Sequence, residues 1–412
     1  MKKLQAPAQK TDLALSNTLN DTHKRVLIIE DMNEMRSMLK SLIASLGYTK
    51  IDVEPSGQAA IKRILSTRYD IVLSDYNLGG GINGQQILEV TRKTYALDHS
   101  TIFIMITADT AYENVVSILE YQPDSYLVKP FTPAAFKRRF ERVQKQKLVF
   151  DGVNQCRKKD DFVNMESQAR KIMIQYPNFN NLCLKVIGES LFARKCYEEA
   201  KNHYILVTQS YKHFAWAHYG VALCEMKLGH ISNAIEKLQY TIQLSRHFLS
   251  AYDLLAEAQE QFGDLEAAQS TIMKAIEVSP YSVERSKKLG DLSQRIKDWK
   301  NAERAYSRVI RLTRDTSEEK IDHYYSYLKT ITNLTESGEN SPILVDKFRR
   351  SVTRLRILGQ GNPIVVSNSY RAEVQQYLTR NHQGEAIKSW KQWNRQIEKG
   401  YASPIKAPQI KV

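Results

Sequence analysis

The chain has 412 residues, a hydrophobic content of 42%, a charged content of 25% and a formal net charge of +14. These proportions are ordinary for globular domains, and the length suggests two or three of them. No stretch reaches the roughly 18 apolar residues of a membrane-spanning helix, and the first residues lack the apolar core of a signal peptide. We therefore expect a cytoplasmic protein with a flexible leader at residues 1–23.

Residues 24–147 alternate between short apolar runs and segments with helical spacing. The runs predict strands at 26–29, 51–53, 69–74, 101–106 and 125–128. The intervening patterns predict helices at 32–46 and 57–66, from about 83, at 111–120 and from about 132. This alternation indicates an α/β domain with a doubly wound, five-stranded parallel sheet of the flavodoxin-like type.

Polar residues follow the predicted strands. Glu30 and Asp31 follow the first strand, Asp75 the third, Thr107 the fourth and Lys129 the fifth. Ligands of such sheets bind outside the carboxyl ends of the strands. Three carboxylates at this edge would repel one another, and a hard divalent cation such as Mg²⁺ would relieve the repulsion. A carboxylate can also act as a nucleophile and form an aspartyl phosphate, so the pattern indicates phosphoryl chemistry.

The segments IIEDMNEMR, DIVLSDYNLGGGINGQQIL, IMITA and YLVKPF resemble the receiver domain of two-component response regulators. The resemblance implies that Asp75 accepts a phosphoryl group from a histidine kinase or a phosphotransfer protein. It implies a Mg²⁺ site with Asp31 as a direct ligand, Glu30 as its support through water, and the backbone carbonyl of Asn77 completing the protein ligands. Polar residues at Asn77 and Asp109 further predict a short-lived phosphoryl group.

The same resemblance gives roles to residues near the other strand ends. Lys129 would contact the phosphate, and Thr107 and Tyr126 would move together as the switch that reports phosphorylation. The Lys129–Pro130 bond is expected to be cis. Residues 79–81 are three consecutive glycines, which depart from the family pattern and whose role stays open. The alternative is a receiver-like fold that is never phosphorylated, although such domains usually lose one of these residues.

From about residue 150 the sequence repeats with a period of 34 residues. Small residues recur at two phases, namely Ala200, Ala234, Ala268 and Ala302, and Gly188, Ala222, Ala256 and Gly290. The pattern resembles the tetratricopeptide repeat family, with four clear units over about 181–314. The resemblance implies an all-α solenoid over 148–400 that binds a protein partner, followed by a loose tail at 401–412. Less regular helical pairs are expected at 148–180, 317–357 and 363–399.

The charge distribution leaves a second function open. Residues 1–150 contribute +4 to the net charge and residues 151–412 contribute +10. A nucleic-acid-binding or RNA-associated regulator that uses a basic C-terminal surface is the alternative, although no recognised DNA-reading motif accompanies the charge. The arginines at 349, 350, 354 and 356 could form a solvated helix face, a site for an acidic partner or a nucleic-acid site.

We favour a response regulator that signals through protein–protein contact of its repeat domain. No catalytic motif follows residue 150, so we do not expect an enzyme. Phosphorylation would alter dimerisation, with a homodimer as one possibility, or would uncover the repeat surface for its partner. The sequence does not identify the kinase, the partner or the direction of regulation.

Overall fold

The computed structural model describes residues 23–79, 82–94, 96–108, 123–280, 282–316 and 318–401. The predicted helix at 111–120, Asp109 and nearly all of the predicted leader and tail lie outside these residues. The chain divides into two compact units, residues 1–254 and 255–412. The predicted boundary at 147/148 is a different one, and the domain limits stay a prediction.

The first unit begins with a five-stranded parallel sheet. The strands are β1 Arg25–Ile29, β2 Lys50–Glu54, β3 Ile71–Asp75, β4 Ile102–Thr107 and β5 Ser125–Val128. Their order is β2-β1-β3-β4-β5, and every neighbouring pair is parallel. This confirms the predicted doubly wound sheet.

Most strand limits differ from the prediction by one or two residues. The third strand begins at Ile71 and not at residue 69, because its pairing with β1 begins where Ile71 lies opposite Val26. The hydroxyl of Tyr69 donates to Asp52 Oδ2 at 2.6 Å. The fourth strand includes Thr107 as its last residue and does not end before it. Thr107 nevertheless remains at the carboxyl edge of the sheet.

Helices cover both faces of the sheet. The described ones are α1 Asn33–Ser45, α2 Gly57–Ser66, α3 Gly84–Lys93 and α4 Pro133–Val149. Alternate residues of β1 point to opposite faces, so Val26 and Ile28 join one apolar cluster while Leu27 and Ile29 join the other. Local signals set the helix starts, because Asn83 forms a capping box and the Thr132 hydroxyl accepts a backbone N–H.

The rest of the described chain is helical. The first unit continues with α5 Asp151–Lys158, α6 Phe162–Gln175, α7 Asn180–Ala193, α8 Tyr197–Ser210, α9 Ala215–Leu228 and α10 Ile231–Leu244. Helix α11, Leu249–Phe262, contains the division between the units. The second unit continues with α12 Leu265–Val278, α13 Val283–Arg295, α14 Trp299–Thr313, α15 Ile321–Glu336, α16 Pro342–Leu358, α17 Pro363–Thr379 and α18 Gln383–Glu398.

Small residues of the 34-residue repeat lie where helices approach closely. The alanines of the first phase are fully buried. Gly188 and Gly220 face the ring of Tyr204, and a Cβ on either glycine would lie 2.4 or 2.6 Å from a ring atom. In the second unit Gly290 faces Tyr306 in the same way, with a Cβ at 2.7 Å. The repeat therefore encodes helix packing, as its period predicts.

The sheet and the helices after it are joined at the edge where the strands begin. Helix α5 follows α4 with only Phe150 between them. Lys158 Nζ lies 2.8 Å from Asp98 Oδ2 in the segment before β4, and Lys147 Nζ lies 2.7 Å from Asp124 Oδ1 before β5. Among the residues that the structure describes, no helix is both long enough and apolar enough to span a membrane.

Candidate functional site

Four of the predicted site residues meet at the carboxyl edge of the sheet. Asp75 is the last residue of β3, Glu30 and Asp31 follow β1, and Lys129 follows β5. Glu30 is fully buried, Asp75 is 6% exposed and Asp31 is more exposed than either. Carboxylate oxygens of the three acids lie within 4.8 Å of one another. The parallel sheet thus gathers residues that are up to 99 positions apart in the chain.

The Lys129 ammonium bridges two of these carboxylates. Its Nζ donates to Glu30 Oε2 at 2.9 Å and to Asp75 Oδ2 at 3.0 Å. Burial raises the pKa of both carboxyls above their ordinary values, and Lys129 opposes that rise. Burial by itself would lower the pKa of Lys129, but its bonds to the two acids raise it overall. The Lys129 ammonium therefore neutralises only part of the negative charge of the three carboxylates.

This donor set fits a hard divalent cation. Three carboxylates within 4.8 Å supply oxygen ligands of the kind that Mg²⁺ prefers. The raised pKa values of Glu30 and Asp75 report a burial penalty on their charges, which a bound cation would offset. Asn77, the expected carbonyl ligand, is exposed in the loop that leaves β3, two residues after Asp75.

Backbone contacts shape the acidic loop after β1. Arg36 Nη1, on the first turn of α1, donates to the Glu30 carbonyl oxygen at 2.5 Å and to that of Asp31 at 3.3 Å. The Met32 N–H lies 3.3 Å from Glu30 Oε1. The sequence interpretation gave no role to Arg36. Its position in IIEDMNEMR, one turn beyond the acids, was the available signal.

Two glycines lie against the acids. Gly79 has a φ of +62°, and a Cβ on it would lie 2.7 Å from Asp31 Oδ2. A Cβ on Gly84 would lie 2.4 Å from the Asp75 carbonyl oxygen and 2.6 Å from Met105 Sδ. Gly79 is thus a close neighbour of a predicted metal ligand, whereas the sequence left the glycine run without a role. Gly84 was not identified from the sequence.

The two predicted switch residues lie on neighbouring strands. Thr107, 1% exposed, ends β4, and its carbonyl accepts the Lys129 N–H at 2.7 Å. Tyr126 is the register partner of Met105 and is 7% exposed, within the apolar cluster that also contains Phe103. Burial raises the pKa of the Tyr126 hydroxyl well above its ordinary value. The Lys129–Pro130 bond is cis, as predicted.

Comparison with known proteins agrees with this geometry. Residues 26–141 match the family model of the response regulator receiver domain. The chain is 28% identical over 119 residues to the chemotaxis protein CheY of Pseudomonas aeruginosa and 29% identical over 119 residues to CheY-3 of Vibrio cholerae. Each match covers 29% of this chain, and 94% and 90% of the respective relative. The N-terminal part of the chain is a response regulator receiver domain.

One similar solved structure is the C-terminal part of a tetratricopeptide repeat-containing protein from Cytophaga hutchinsonii, at 13% identity and a TM-score of 0.44. The match covers 60% of this chain and 94% of that one.

The arginine cluster of the second unit is mostly neutralised by ion pairs. Three of its four members contact carboxylates of the same unit: Arg350 with Asp346, Arg354 with Glu319, and Arg356 with Glu373. Arg349 is exposed. Because paired arginines have less charge to offer an external anion, this cluster is a poor basis for the nucleic-acid alternative.

Proposed function

We propose that this response regulator accepts a phosphoryl group on Asp75 from a histidine kinase or a phosphotransfer protein. The observation that carries the proposal is the Lys129 ammonium, which lies 3.0 Å from Asp75 Oδ2 and 2.9 Å from Glu30 Oε2 at the carboxyl edge of the sheet. A nucleophilic carboxylate beside a fixed cation and a further pair of acids is the arrangement that aspartyl phosphorylation requires.

In the proposed reaction an Asp75 carboxylate oxygen attacks the phosphorus of a phosphohistidine donor. The new O–P bond forms as the P–N bond breaks, and the donor imidazole leaves. Lys129 offsets negative charge on the transferring phosphoryl oxygens because its ammonium already contacts the nucleophile. Mg²⁺ held by Glu30, Asp31, Asp75 and the Asn77 carbonyl would supply further compensation of that charge.

The phosphorylated state would be read through Thr107 and Tyr126. The Thr107 hydroxyl would donate to a phosphoryl oxygen, since Thr107 ends the strand next to that of Asp75. Tyr126 would move with it, because the two residues lie on the paired strands β4 and β5. The resulting change would alter which protein the helical part binds, and we infer a non-catalytic signalling role.

Phosphorylation can be tested with a small phosphodonor. The purified chain is incubated with acetyl phosphate and Mg²⁺, and phosphorylated protein is separated on a phosphate-affinity gel. We expect a shifted band that is absent in Asp75→Asn and in EDTA. Asp70→Asn is the matched control, because Asp70 lies just before the opposite end of the same strand, where its carboxylate accepts the Arg25 N–H at 2.9 Å. A shifted band in Asp75→Asn would refute the assignment.

The output can be tested by capturing partners. Wild type, Asp75→Ala and the beryllofluoride complex of the wild type are compared for the proteins that they retain and for affinity to each. We expect at least one partner whose affinity differs between the beryllofluoride complex and Asp75→Ala. Identical partners and affinities in all three would contradict a phosphorylation-controlled partner.

A further inference from the structure

A basic cleft lies in the first unit, beside the receiver and away from the acidic edge. Its volume is about 720 Å³. Three parts of the chain form its walls: the end of α1 with the turn after it, the outer face of α4, and the short helical turn Pro177–Phe179 before α7. This volume lies within the range of about 300–1,000 Å³ that is typical of small-molecule sites.

The cationic wall is built by the spacing of residues along α4. Arg138, Arg142 and Lys145 recur at intervals of four and three residues, so they lie on one face of the helix. All three are exposed and line the cleft. The buried face of the same helix carries Phe136 and Phe140, which pack into the core of the receiver. Because this face of α4 is buried in the core, the face that carries the three cations is turned toward the cleft.

The lining of the cleft is rich in cations. Four cationic side chains and one carboxylate line it. That carboxylate, Glu141, pairs with Lys137 at 3.9 Å. Arg138 and Arg142 form no ion pair with any residue that the structure describes. Like charges four residues apart repel each other on a helix, so a bound anion would relieve a local penalty.

Other arginines of the same unit have carboxylate partners. Arg157 lies 2.6 Å from Glu189, and Arg170 lies 2.7 Å from Glu166. The unpaired guanidinium groups in the cleft thus differ from the exposed arginines on nearby helices. Guanidinium groups bind phosphate oxygens through parallel N–H donors.

The occupant that we consider is a separate anion. Residues 1–22 contain three lysines and two aspartates, and residues 402–412 contain two lysines and no acidic side chain, so neither segment carries a net negative charge. We propose that the cleft binds a small anion that carries several phosphate groups, held by Arg138, Arg142 and Lys145. The limited volume of the cleft and the closely spaced cations favour such a ligand over an extended acidic peptide.

Calorimetric titration of the full chain with inorganic tripolyphosphate tests the proposal. The buffer contains EDTA, so that metal bound at the acidic edge does not contribute. We expect one equivalent to bind the wild type and the affinity to fall at least tenfold in the double variant Arg138→Gln, Arg142→Gln. The matched control is Arg311→Gln, Arg349→Gln, which removes two exposed arginines elsewhere and should keep the wild-type affinity within about twofold.

Each outcome decides the proposal. Selective loss in the cleft variant supports it, provided that circular dichroism gives both variants the melting temperature of the wild type, as expected for exposed residues. Equal loss in both double variants would show general attraction to a basic surface and would overturn it. No binding of tripolyphosphate to the wild type, or tighter binding of hexaglutamate than of tripolyphosphate, would also overturn it.

Discussion

Replacing Lys129 with methionine isolates the electrostatic role of the bridging ammonium. Lys129→Met keeps most of the side-chain volume and removes the charge that lies 2.9 Å from Glu30 and 3.0 Å from Asp75. Breaking a buried ion pair by removing one partner costs about 3–5 kcal/mol. The lysine side chain is 15% exposed and the acids can take up a proton, so we expect a loss of about 2–3 kcal/mol at pH 7.5 in EDTA.

The loss should depend on pH in a defined direction. Burial already raises the pKa of Glu30 and Asp75 above their ordinary values, and removal of Lys129 removes the contact that opposes this rise. A carboxyl whose pKa is higher in the folded state binds more protons when folded, so folding becomes more favourable as the pH falls. The destabilisation of Lys129→Met should therefore be smaller at pH 5 than at pH 8.

Lys147→Met is the matched control for this prediction. Lys147 belongs to the same unit, its side chain is also 15% exposed, and it lies 2.7 Å from Asp124 at the opposite edge of the sheet. Lys147 thus pairs with a single carboxylate, whereas Lys129 lies beside a cluster of three. Millimolar Mg²⁺ should therefore recover at least about 1 kcal/mol of the stability lost in Lys129→Met, and none of that lost in Lys147→Met.

Hydrogen-exchange mass spectrometry on peptides of β1 and β3 measures the free energy of opening of the receiver in both variants. It reports opening of the receiver without the assumption that the whole chain unfolds in one step. Equal effects of pH and Mg²⁺ on the two variants would refute the reasoning, because the acidic edge would then behave like an ordinary ion pair.

Three further predictions concern packing, acid stability and phosphoryl lifetime. Gly84→Ala should destabilise the receiver by about 1–3 kcal/mol, because the new Cβ would lie 2.4 Å from a backbone oxygen. Gly152→Ala should not, because its new Cβ would lie 3.6 Å from Gln168 Cδ, and hydrogen exchange distinguishes the two variants. The bond from Arg354 lowers the pKa of Glu319 to about 2. Because solvent screens this partly exposed pair, Glu319→Gln should cost about 1 kcal/mol in urea unfolding at pH 7, an effect that is lost as the pH falls from 4.5 through 2. The phosphoryl group should hydrolyse within minutes to an hour and more slowly in Asn77→Ala; a half-life of many hours in the wild type would contradict this.

Much of the local structure follows from short-range signals. The helix at 57–66 and the strand at 125–128 have the limits that the sequence pattern predicts. Thr132 caps the helix that begins at Pro133, as the proline at its start indicates. These limits depend on capping, on side-chain periodicity and on the burial of apolar runs, all of which operate within a few residues. The 34-residue period likewise identifies the close helix contacts, because each small residue recurs at a fixed place in its helical pair.

Other features depend on residues that are distant in sequence. The roles of Gly79 and Gly84 arise from their close approach to Asp31 and to the Asp75 carbonyl, which no local pattern specifies. The predicted start of β3 is two residues too early, because the point at which β3 begins to pair with β1 cannot be seen in a single apolar run.

The sequence by itself determined the five strands to within two residues, the acceptor candidate Asp75 with its neighbouring acids, and the repeat. Residue type and spacing are sufficient for these, because parallel strands place their carboxyl ends at one edge. Only the tertiary structure decided that one ammonium bridges Glu30 and Asp75, that most of the arginine cluster is paired, and that the cations of α4 face a cleft. Charge compensation and concavity are properties of how distant segments pack, and a linear pattern does not contain them.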